Sequence, residues 1–174
     1  MNWSLRNVPA YVRWLLAAFL IINAAGYSVG LLLVAHNTHL TVEGVADHYA
    51  GNEEKIAAGE AIEEFKFQPT RRQMLNLAHT HIFNMSVSYL LVGLILSACA
   101  YSDRLKRWLI LETILAILTT FLGLWLTAFV HRGFAWMAFI SSLLMGLGYY
   151  SSVVLALVDI IRAHRESPVH ASPP

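Results

Sequence analysis

Four long apolar segments constrain this chain more than any other feature of its sequence. They cover residues 11–34, 79–100, 108–130 and 134–161. The hydrocarbon layer of a bilayer is about 30 Å thick and a helix rises about 1.5 Å per residue, so about 20 apolar residues make one crossing. The composition agrees, since 57% of the 174 residues are hydrophobic and only 13% are charged. The sequence therefore predicts an all-α membrane protein, an antiparallel bundle of four transmembrane helices.

The basic residues predict the orientation of this bundle. Lysine and arginine near short connections are retained on the cytoplasmic side of a membrane. They cluster before the first span, between the second and third, and after the fourth: Arg6 and Arg13, the connection "SDRLKR", and Arg162 with Arg165. Both termini are thus predicted to be cytoplasmic, in a bacterial inner membrane. The long connection 35–78 is then on the outer, periplasmic side.

The outer connection has its own structural signals. Its segment "NEEKIAAGEAIEEFKF", residues 52–67, places apolar residues opposite glutamates and predicts a short helix over the mouth of the bundle. Thr70 and Gln73 have the spacing of a capping box, which predicts that the second long helix begins near Thr70. No domain boundary is visible, so residues 1–163 are expected to form a single transmembrane domain. Residues 164–174 have the composition of a disordered cytoplasmic tail.

The composition excludes cysteine-based sites and nucleic-acid binding. Cys99 is the single cysteine, so the chain has neither a disulfide framework nor a cysteine-based metal site. The net charge is +1, and no basic stripe with interleaved aromatic residues indicates nucleic-acid binding.

Six of the eight histidines fall on the predicted outer side, and their positions carry the main functional signal. They are His36 and His39 after the first span, His48 in the connection, His79 and His81 at the start of the second span, and His131 at the end of the third. Three of the four spans thus present an imidazole at a similar depth, and antiparallel packing makes these helix ends neighbours. We therefore expect His36, His81 and His131 to converge on one site.

Such a site would suit a metal or a haem, because neutral imidazole is a common ligand for haem iron, copper and zinc. Residues two apart on a helix point about 200° apart, so His79 and His81 cannot both reach one ion. His81 shares a stripe with Met85 and Ser88 and is the better candidate for the inward position. His79 would then meet a second centre, a propionate, a quinol oxygen or water. Taken alone, His79 is more typical of an amphipathic residue at the membrane interface.

The spans also contain residues that are unusual at lipid-facing positions. Asn23, Glu112 and Asp159 are polar, and each is costly in a membrane unless it has a partner or a task. We expect the two acids to pair with nearby arginines, and a proton route from the cytoplasm is the alternative. The arginines expected to pair with these acids are Arg13, Arg107 and Arg162.

Gly26 and Gly30 of the first span form a GxxxG pair, which predicts close helix packing.

The layout of the four spans resembles that of the small four-helix b-type cytochromes that anchor bacterial redox enzymes and exchange electrons with quinones. The segments "VEGVADHYAGNEE" and "AHTHIFNMSVSYLLVGLI" are similar to a little-characterised group of bacterial inner-membrane proteins, a similarity that implies no activity. A two-haem member of the cytochrome group would carry ligands at both membrane faces. The cytoplasmic half of these spans has no histidine, so the resemblance implies a single haem b near the periplasmic face.

These observations lead to three hypotheses of function. The leading one is a membrane electron-transfer subunit whose single b-type haem is held by two of His36, His81 and His131. Quinone or quinol would react beside the haem, with a histidine, Glu43 or Asp47 accepting a proton. The second is a copper or zinc protein that uses the same histidines. The third is a non-catalytic subunit of a larger membrane complex. Expected partners are the lipid bilayer, a quinone, and a periplasmic redox protein or such a complex.

Overall fold

The structure, a computed structural model, describes residues 4–62 and 64–166 and has no strand within these ranges. Single 3-10 turns cover Leu5–Asn7 and Arg132–Phe134. The prediction of an all-α bundle of four long helices is confirmed. The helices are α1 (Ala10–Thr38), α2 (Val42–Ala50), α3 (Glu53–Ala57), α4 (Arg71–Ser97), α5 (Asp103–Phe129) and α6 (Ala135–Glu166).

Helices α1, α4, α5 and α6 are each long and apolar enough to cross a membrane. The shortest of them would be about 40 Å long at the usual helical rise. Many of their leucine, isoleucine and valine side chains are exposed on the surface of the bundle, as contact with lipid requires. The chain is therefore a multi-pass membrane protein. The loop end of the bundle is the end that carries the connection 39–70, and the termini end is the opposite one.

The bundle is built around α5 and α6, which form its most extensive helix pair. A Cβ atom at Gly123 of α5 would lie 2.7 Å from the backbone nitrogen of Ala138 of α6. The two backbones can approach this closely only because Gly123 has no side chain. Helix α4 packs mainly on α5, α1 packs mainly on α6, and α1 and α4 make few contacts with each other. The two outer helices thus flank a central pair.

Gly26 and Gly30 of α1 do not make the close packing that their spacing predicts. Both are exposed, and no atom of another residue lies within 4 Å of a Cβ built at either position. Within the described part of the chain that prediction is wrong, because α1 turns this face away from α6. The glycines that bring two helices together are Gly123 and Gly148.

The connection between α1 and α4 is less helical than its amphipathic sequence predicts. The helix predicted over residues 52–67 ends at Ala57, while the separate helix α2 was not predicted. Thr41 caps α2 by accepting a hydrogen bond of 2.9 Å from a backbone amide one turn later. Gly51 and Gly59 have φ angles of 81° and 74°, the left-handed conformation that interrupts helices.

Asn52 holds the rest of the connection in an extended path. Its Nδ2 donates to the carbonyl of Glu64 and its Oδ1 accepts from the amide of Lys66, both at 2.8 Å. Lys66 Nζ donates to the carbonyl of Asn37 near the end of α1 at 2.6 Å, and the Gln68 side chain donates to a carbonyl near the end of α5. The segment after α3 therefore bonds to other elements instead of forming its own helix.

An ion-pair cluster joins α2, α3 and the connection between α5 and α6. Asp47 accepts from Lys55 Nζ at 2.8 Å and from Arg132 Nη2 at 2.6 Å, and Lys55 also pairs with Glu43. The hydrogen bonds from Lys55 to Asp47 and then to Glu43 raise the pKa of Lys55. The Asp47 side chain is 17% exposed and that of Glu43 is 72% exposed, so Asp47 is the shielded centre of the cluster.

The long helices differ from the predicted spans mainly at their ends. Thr70 and Gln73 form the predicted capping box, each accepting from the backbone amide of the other, and α4 begins directly after it. This helix ends at Ser97, slightly before the predicted end at residue 100. The predicted disordered tail, residues 164–174, is helical up to Glu166, so that part of the prediction is wrong. The remainder of the tail lies outside the described residues.

Contacts between the N-terminal segment and α6 hold the last turns of this helix at the termini end. Arg6 donates to Glu166 at 2.8 Å and lies 3.8 Å from Asp159. Asp159 also accepts a backbone amide that follows α4 at 3.0 Å. Arg13 donates instead to a carbonyl near the end of α6 at 3.0 Å. Asp159 is thus paired with Arg6, a partner that the sequence analysis did not predict.

We predict that Gly123→Ala destabilises the bundle and that Gly26→Ala does not. The methyl group added at Gly123 would collide with the backbone of Ala138, and overpacking of this kind costs about 1–3 kcal/mol. The same methyl group at Gly26 meets open space. Thermal unfolding of the two variants in one detergent measures the difference. Equal melting temperatures would contradict the central role assigned to the α5–α6 pair.

We also predict that Asp47→Asn loosens the connection at the loop end more than Glu43→Gln does. Asp47→Asn weakens two charge-assisted bonds to shielded cations, a loss of about 1–3 kcal/mol. The exposed Glu43 contributes less than about 1 kcal/mol because solvent screens its pair with Lys55. Backbone hydrogen exchange across α2 and α3 measures both effects. Faster exchange in Glu43→Gln than in Asp47→Asn would contradict this account of the cluster.

Candidate functional site

The three histidines predicted to share a site lie in different environments. His36, together with His39, lines a cavity of about 590 Å³ at the loop end. His131 lines two other cavities beside the connection between α5 and α6. His81 packs near Phe121 of α5, with 5.9 Å between ring centroids. Within residues 4–62 and 64–166, no three histidine, cysteine, aspartate or glutamate side chains are grouped to hold one metal ion.

The hydrogen bonds of these histidines are local. The ring nitrogen Nδ1 of His81 lies 3.0 Å from the carbonyl of Leu77, one turn earlier in α4. Nδ1 of His131 accepts from the amide of Gly133 at 3.0 Å and so caps the 3-10 turn before α6. Both histidines are exposed, as is His79. The expected grouping is not formed because α1 and α4 flank the central pair and meet only in a few places.

A b-type haem at these histidines stays a prediction, because the absence of a group of three metal-binding side chains among the described residues does not test a site that needs only two. Two axial imidazoles must reach one iron from the two sides of a porphyrin, from facing elements of the bundle. His36 and His131 line different cavities, and the bond of His81 through Nδ1 leaves its Nε2 available for a ligand. The cavity at His36 is also walled by charged residues, including Glu43, Asp47 and Lys55, which suit a polar ligand better than a porphyrin. Haem b, copper and zinc stay predictions that this geometry does not support.

The predicted proton acceptors at the loop end are engaged in ion pairs. Glu43 and Asp47 line the same cavity as His36, and both bind Lys55. His48 stacks edge-on against Tyr49, with 4.8 Å between ring centroids. Burial, and secondarily the charge of Lys66, lowers the pKa of His48. His48 is therefore neutral at physiological pH and belongs to the packing of the connection.

The middle of the bundle contains a cluster of four tyrosines, which we call the tyrosine cluster. Tyr27 of α1, Tyr89 of α4, and Tyr149 and Tyr150 of α6 lie with neighbouring ring centroids 4.4 to 6.4 Å apart. Tyr149 is 1% exposed and Tyr89 6% exposed. The cluster joins α1 and α4, which otherwise touch little, through α6.

Asn23 is the hydrogen-bonding centre beside the tyrosine cluster. Its Oδ1 accepts from Ser88 Oγ of α4 at 2.7 Å and from the Tyr149 hydroxyl of α6 at 2.6 Å. Ser28, also on α1, lies 2.6 Å from the Tyr150 hydroxyl. These bonds give the buried polar atoms of three helices a partner, which is what an apolar environment demands. Asn23 therefore has a structural role.

Glu112 has no comparable set of partners. Its Oε1 is buried and has no hydrogen-bond partner among the described residues. Its Oε2 lies 3.3 Å from Thr113 Oγ1 and so close to α6 that a Cβ atom at Gly148 would overlap it. In the part of the chain that the structure describes, no arginine, lysine or histidine pairs with Glu112. The arginine pairing expected for this residue is thus not formed.

An apolar groove of about 410 Å³ runs between α4 and α5 beside the tyrosine cluster. Tyr89, Gly93 and Ile117 form its inner wall, and exposed leucine and isoleucine side chains form its rim. This exposure means that the groove opens towards the surrounding lipid. A second cavity of about 10 Å³ lies behind the groove and reaches Thr113 and Tyr149. The small cavity thus extends the groove to Thr113, the residue that follows Glu112.

The sequence marks Asn23 and Glu112 as unusual residues, but the tyrosine cluster and the groove were not predicted from it. A signal for the tyrosines was present, because tyrosine favours the membrane interface and these four lie well inside their spans. The groove has no comparable signal. The groove depends on which faces of α4 and α5 meet, and the apolar residues of the two helices do not show which faces these are.

Comparison with known proteins identifies a family. Residues 39–167 match Aq_1264_TM, a family described as a transmembrane helical domain. This range includes the loop-end connection, α4, α5 and α6, which is well over half of the chain. Neither a curated protein nor a solved structure matches the chain. The match agrees with the similarity to a little-characterised group of membrane proteins. The chain belongs to the Aq_1264_TM family of transmembrane helical domains.

Proposed function

We propose that this chain is a membrane electron-transfer subunit that binds a lipid-soluble quinone in the groove between α4 and α5. The groove is the observation that carries the proposal. Its volume of about 410 Å³ lies within the range of small-molecule sites, about 300–1,000 Å³. It is accessible from the bilayer, where an isoprenoid quinone is dissolved.

The groove walls suit the two parts of a quinone. The apolar rim, including Leu90, Leu94 and Leu118, would contact the isoprenoid tail. Quinone carbonyl oxygens need hydrogen-bond donors, and the groove lining includes three residues that carry hydroxyl groups, Ser86, Tyr89 and Ser97. The Tyr89 hydroxyl is buried and interacts with Tyr27 but makes no hydrogen bond of regular geometry among the described residues, so a carbonyl acceptor would relieve the cost of its burial.

This role requires a source or acceptor of electrons. We place that redox centre on a periplasmic redox protein or on another subunit of a larger complex, because the described residues include no group of three metal-binding side chains. The chain would contribute the membrane-embedded quinone site and the contacts with lipid. With the redox centre on a partner, the chain can take part in electron transfer without histidines that converge on one site.

We predict that Gly93→Leu weakens quinone binding by about tenfold or more, a free-energy change of about 1.4 kcal/mol. Gly93 lines the groove, and a leucine side chain there would occupy the quinone volume. Gly93→Ala is the matched control, because its Cβ atom would lie at an ordinary distance of 3.5 Å from Ile110 Cγ1. The measurement is photo-crosslinking by an azido analogue of a short-chain quinone in nanodiscs, with peptide mapping of the labelled site.

Two results would contradict the quinone proposal. One is labelling that is unchanged in Gly93→Leu. The other is equal competition by an isoprenoid alcohol that has the tail but no quinone ring, because this would mean that the groove accepts any lipid chain. Unchanged melting temperature of Gly93→Leu is the control for folding.

The haem prediction has a separate test. Absorption spectra of the purified chain, oxidised and then reduced, together with iron analysis, measure whether haem is bound. If two of His36, His81 and His131 ligate a haem, the wild type shows a reducible Soret band and His81→Ala or His131→Ala reduces it. A colourless, iron-free wild type that binds quinone would reject the haem prediction and leave the quinone site intact.

A further inference from the structure

We propose that Glu112 is an intramembrane proton-binding site, neutral at pH 7, which exchanges its proton through Thr113 with the cavity behind the groove. The proton site does not depend on the proposed quinone binding. Only the link between the proton site and the groove rests on the proposed function. Glu112 is nine residues after the start of α5, which places it about 14 Å along the helix. The apolar run of α5 begins at Trp108, so Glu112 lies about one helical turn inside the hydrocarbon layer at the termini end.

The surroundings of Glu112 favour the neutral acid. A carboxylate has about four lone-pair sites and needs donors or a cation when it is buried. Within the described ranges Oε1 of Glu112 has no hydrogen-bond partner, and Oε2 lies where a Cβ atom at Gly148 of α6 would be. Two of the arginines expected nearby are bound elsewhere, since Arg13 donates to a carbonyl of α6 and Arg107 to a carbonyl of its own helix.

Among residues 4–62 and 64–166, no lysine, arginine or histidine of another helix pairs with Glu112 and would stabilise its ionised form. Tyr27 of α1 and Tyr89 of α4 both interact electrostatically with Glu112. Tyr149 of α6 belongs to the same tyrosine cluster and donates its hydrogen bond to Asn23. These are neutral hydroxyl groups at physiological pH. An ionised Glu112 would therefore be an unpaired charge within the membrane.

The bond between Thr113 and Glu112 supports this assignment. Thr113 Oγ1 lies 2.6 Å from the carbonyl of Leu109 and 3.3 Å from Glu112 Oε2. A hydroxyl has a single hydrogen, which the shorter bond to Leu109 uses. The contact of 3.3 Å is then a hydrogen bond only when Glu112 carries a proton and donates it to Thr113 Oγ1. Neutral Glu112 makes a hydrogen bond here that the carboxylate cannot make without competing with Leu109.

Thr113 also provides a route for the proton. It lines the cavity of about 10 Å³ that shares Tyr89, Gly93 and Ile110 with the groove. This volume is about that of one water probe. On release, Thr113 turns its own hydrogen from the Leu109 carbonyl to a water molecule in the small cavity. The O–H bond of Glu112 breaks, Thr113 Oγ1 accepts this proton as it gives its own to the water, the water becomes hydronium, and Glu112 becomes a carboxylate. Uptake follows the same steps in reverse.

Infrared spectroscopy of the full chain in nanodiscs tests the proton site. At pH 7 we expect the carbonyl stretch of a protonated carboxylic acid in the wild type, its loss in Glu112→Gln, and its retention in the matched control Glu54→Gln, whose glutamate is exposed. Transfer into D₂O should shift the band, because the proton exchanges. Absence of the band in the wild type, its persistence in Glu112→Gln, or a band that does not shift in D₂O would overturn the proposal.

A second measurement separates the link to the groove from the proton site. A short-chain ubiquinone analogue should shift the Glu112 band in the wild type but not in Gly93→Leu, whose groove is filled. Thr113→Val should slow the shift in D₂O while retaining the band, because it removes the hydroxyl relay. Exchange that is equally fast in Thr113→Val would overturn the route through Thr113. A normal band with no response to the quinone, in a chain that binds quinone, would overturn the link alone.

Discussion

The absence of water from the hydrocarbon layer is the constraint on which this structure depends. Backbone amides and carbonyls that cross the bilayer must bond within their own segment, so α1, α4, α5 and α6 are continuous helices. Lipid gives no hydrophobic driving force for their association, and close packing has to replace it. Gly123 provides that packing where α5 meets Ala138 of α6. The position of α1 and α4 on the flanks follows from this central contact.

The same constraint separates structural from functional polar residues. Asn23, Ser88 and Tyr149 satisfy one another across three helices, so their polarity is accounted for by packing. Asp159 is likewise accounted for, because Arg6 and a backbone amide satisfy its carboxylate at the termini end. In the part of the chain that the structure describes, Glu112 is left with one weak hydrogen bond, to Thr113. A partly buried acid with so little compensation is the candidate for a task, and the small cavity beside Thr113 suggests which task.

The loop end shows how much of a connection is decided by contacts beyond the local sequence. The glutamate-rich segment after Asn52 has a helical pattern, yet Asn52 and Lys66 tie it to other elements in an extended path. Asp47 then joins Lys55 and Arg132, which are far apart in the sequence. Local amphipathicity predicted α3 in part and overestimated its length, because these long-range bonds were not visible in the pattern.

The sequence alone determined the membrane class, the number of spanning helices and the start of α4, because hydrophobic length and the capping box at Thr70 are local properties. It also marked Asn23 and Glu112 as costly residues, since their position within an apolar run is local too. Only the tertiary structure decided which residues meet. His36, His81 and His131 have similar depths in the predicted spans but lie in different surroundings, whereas Tyr89, Thr113 and Tyr149 line one cavity. The physical reason is that side-chain proximity depends on helix rotation and neighbour choice, which the packing of α5 against α6 sets.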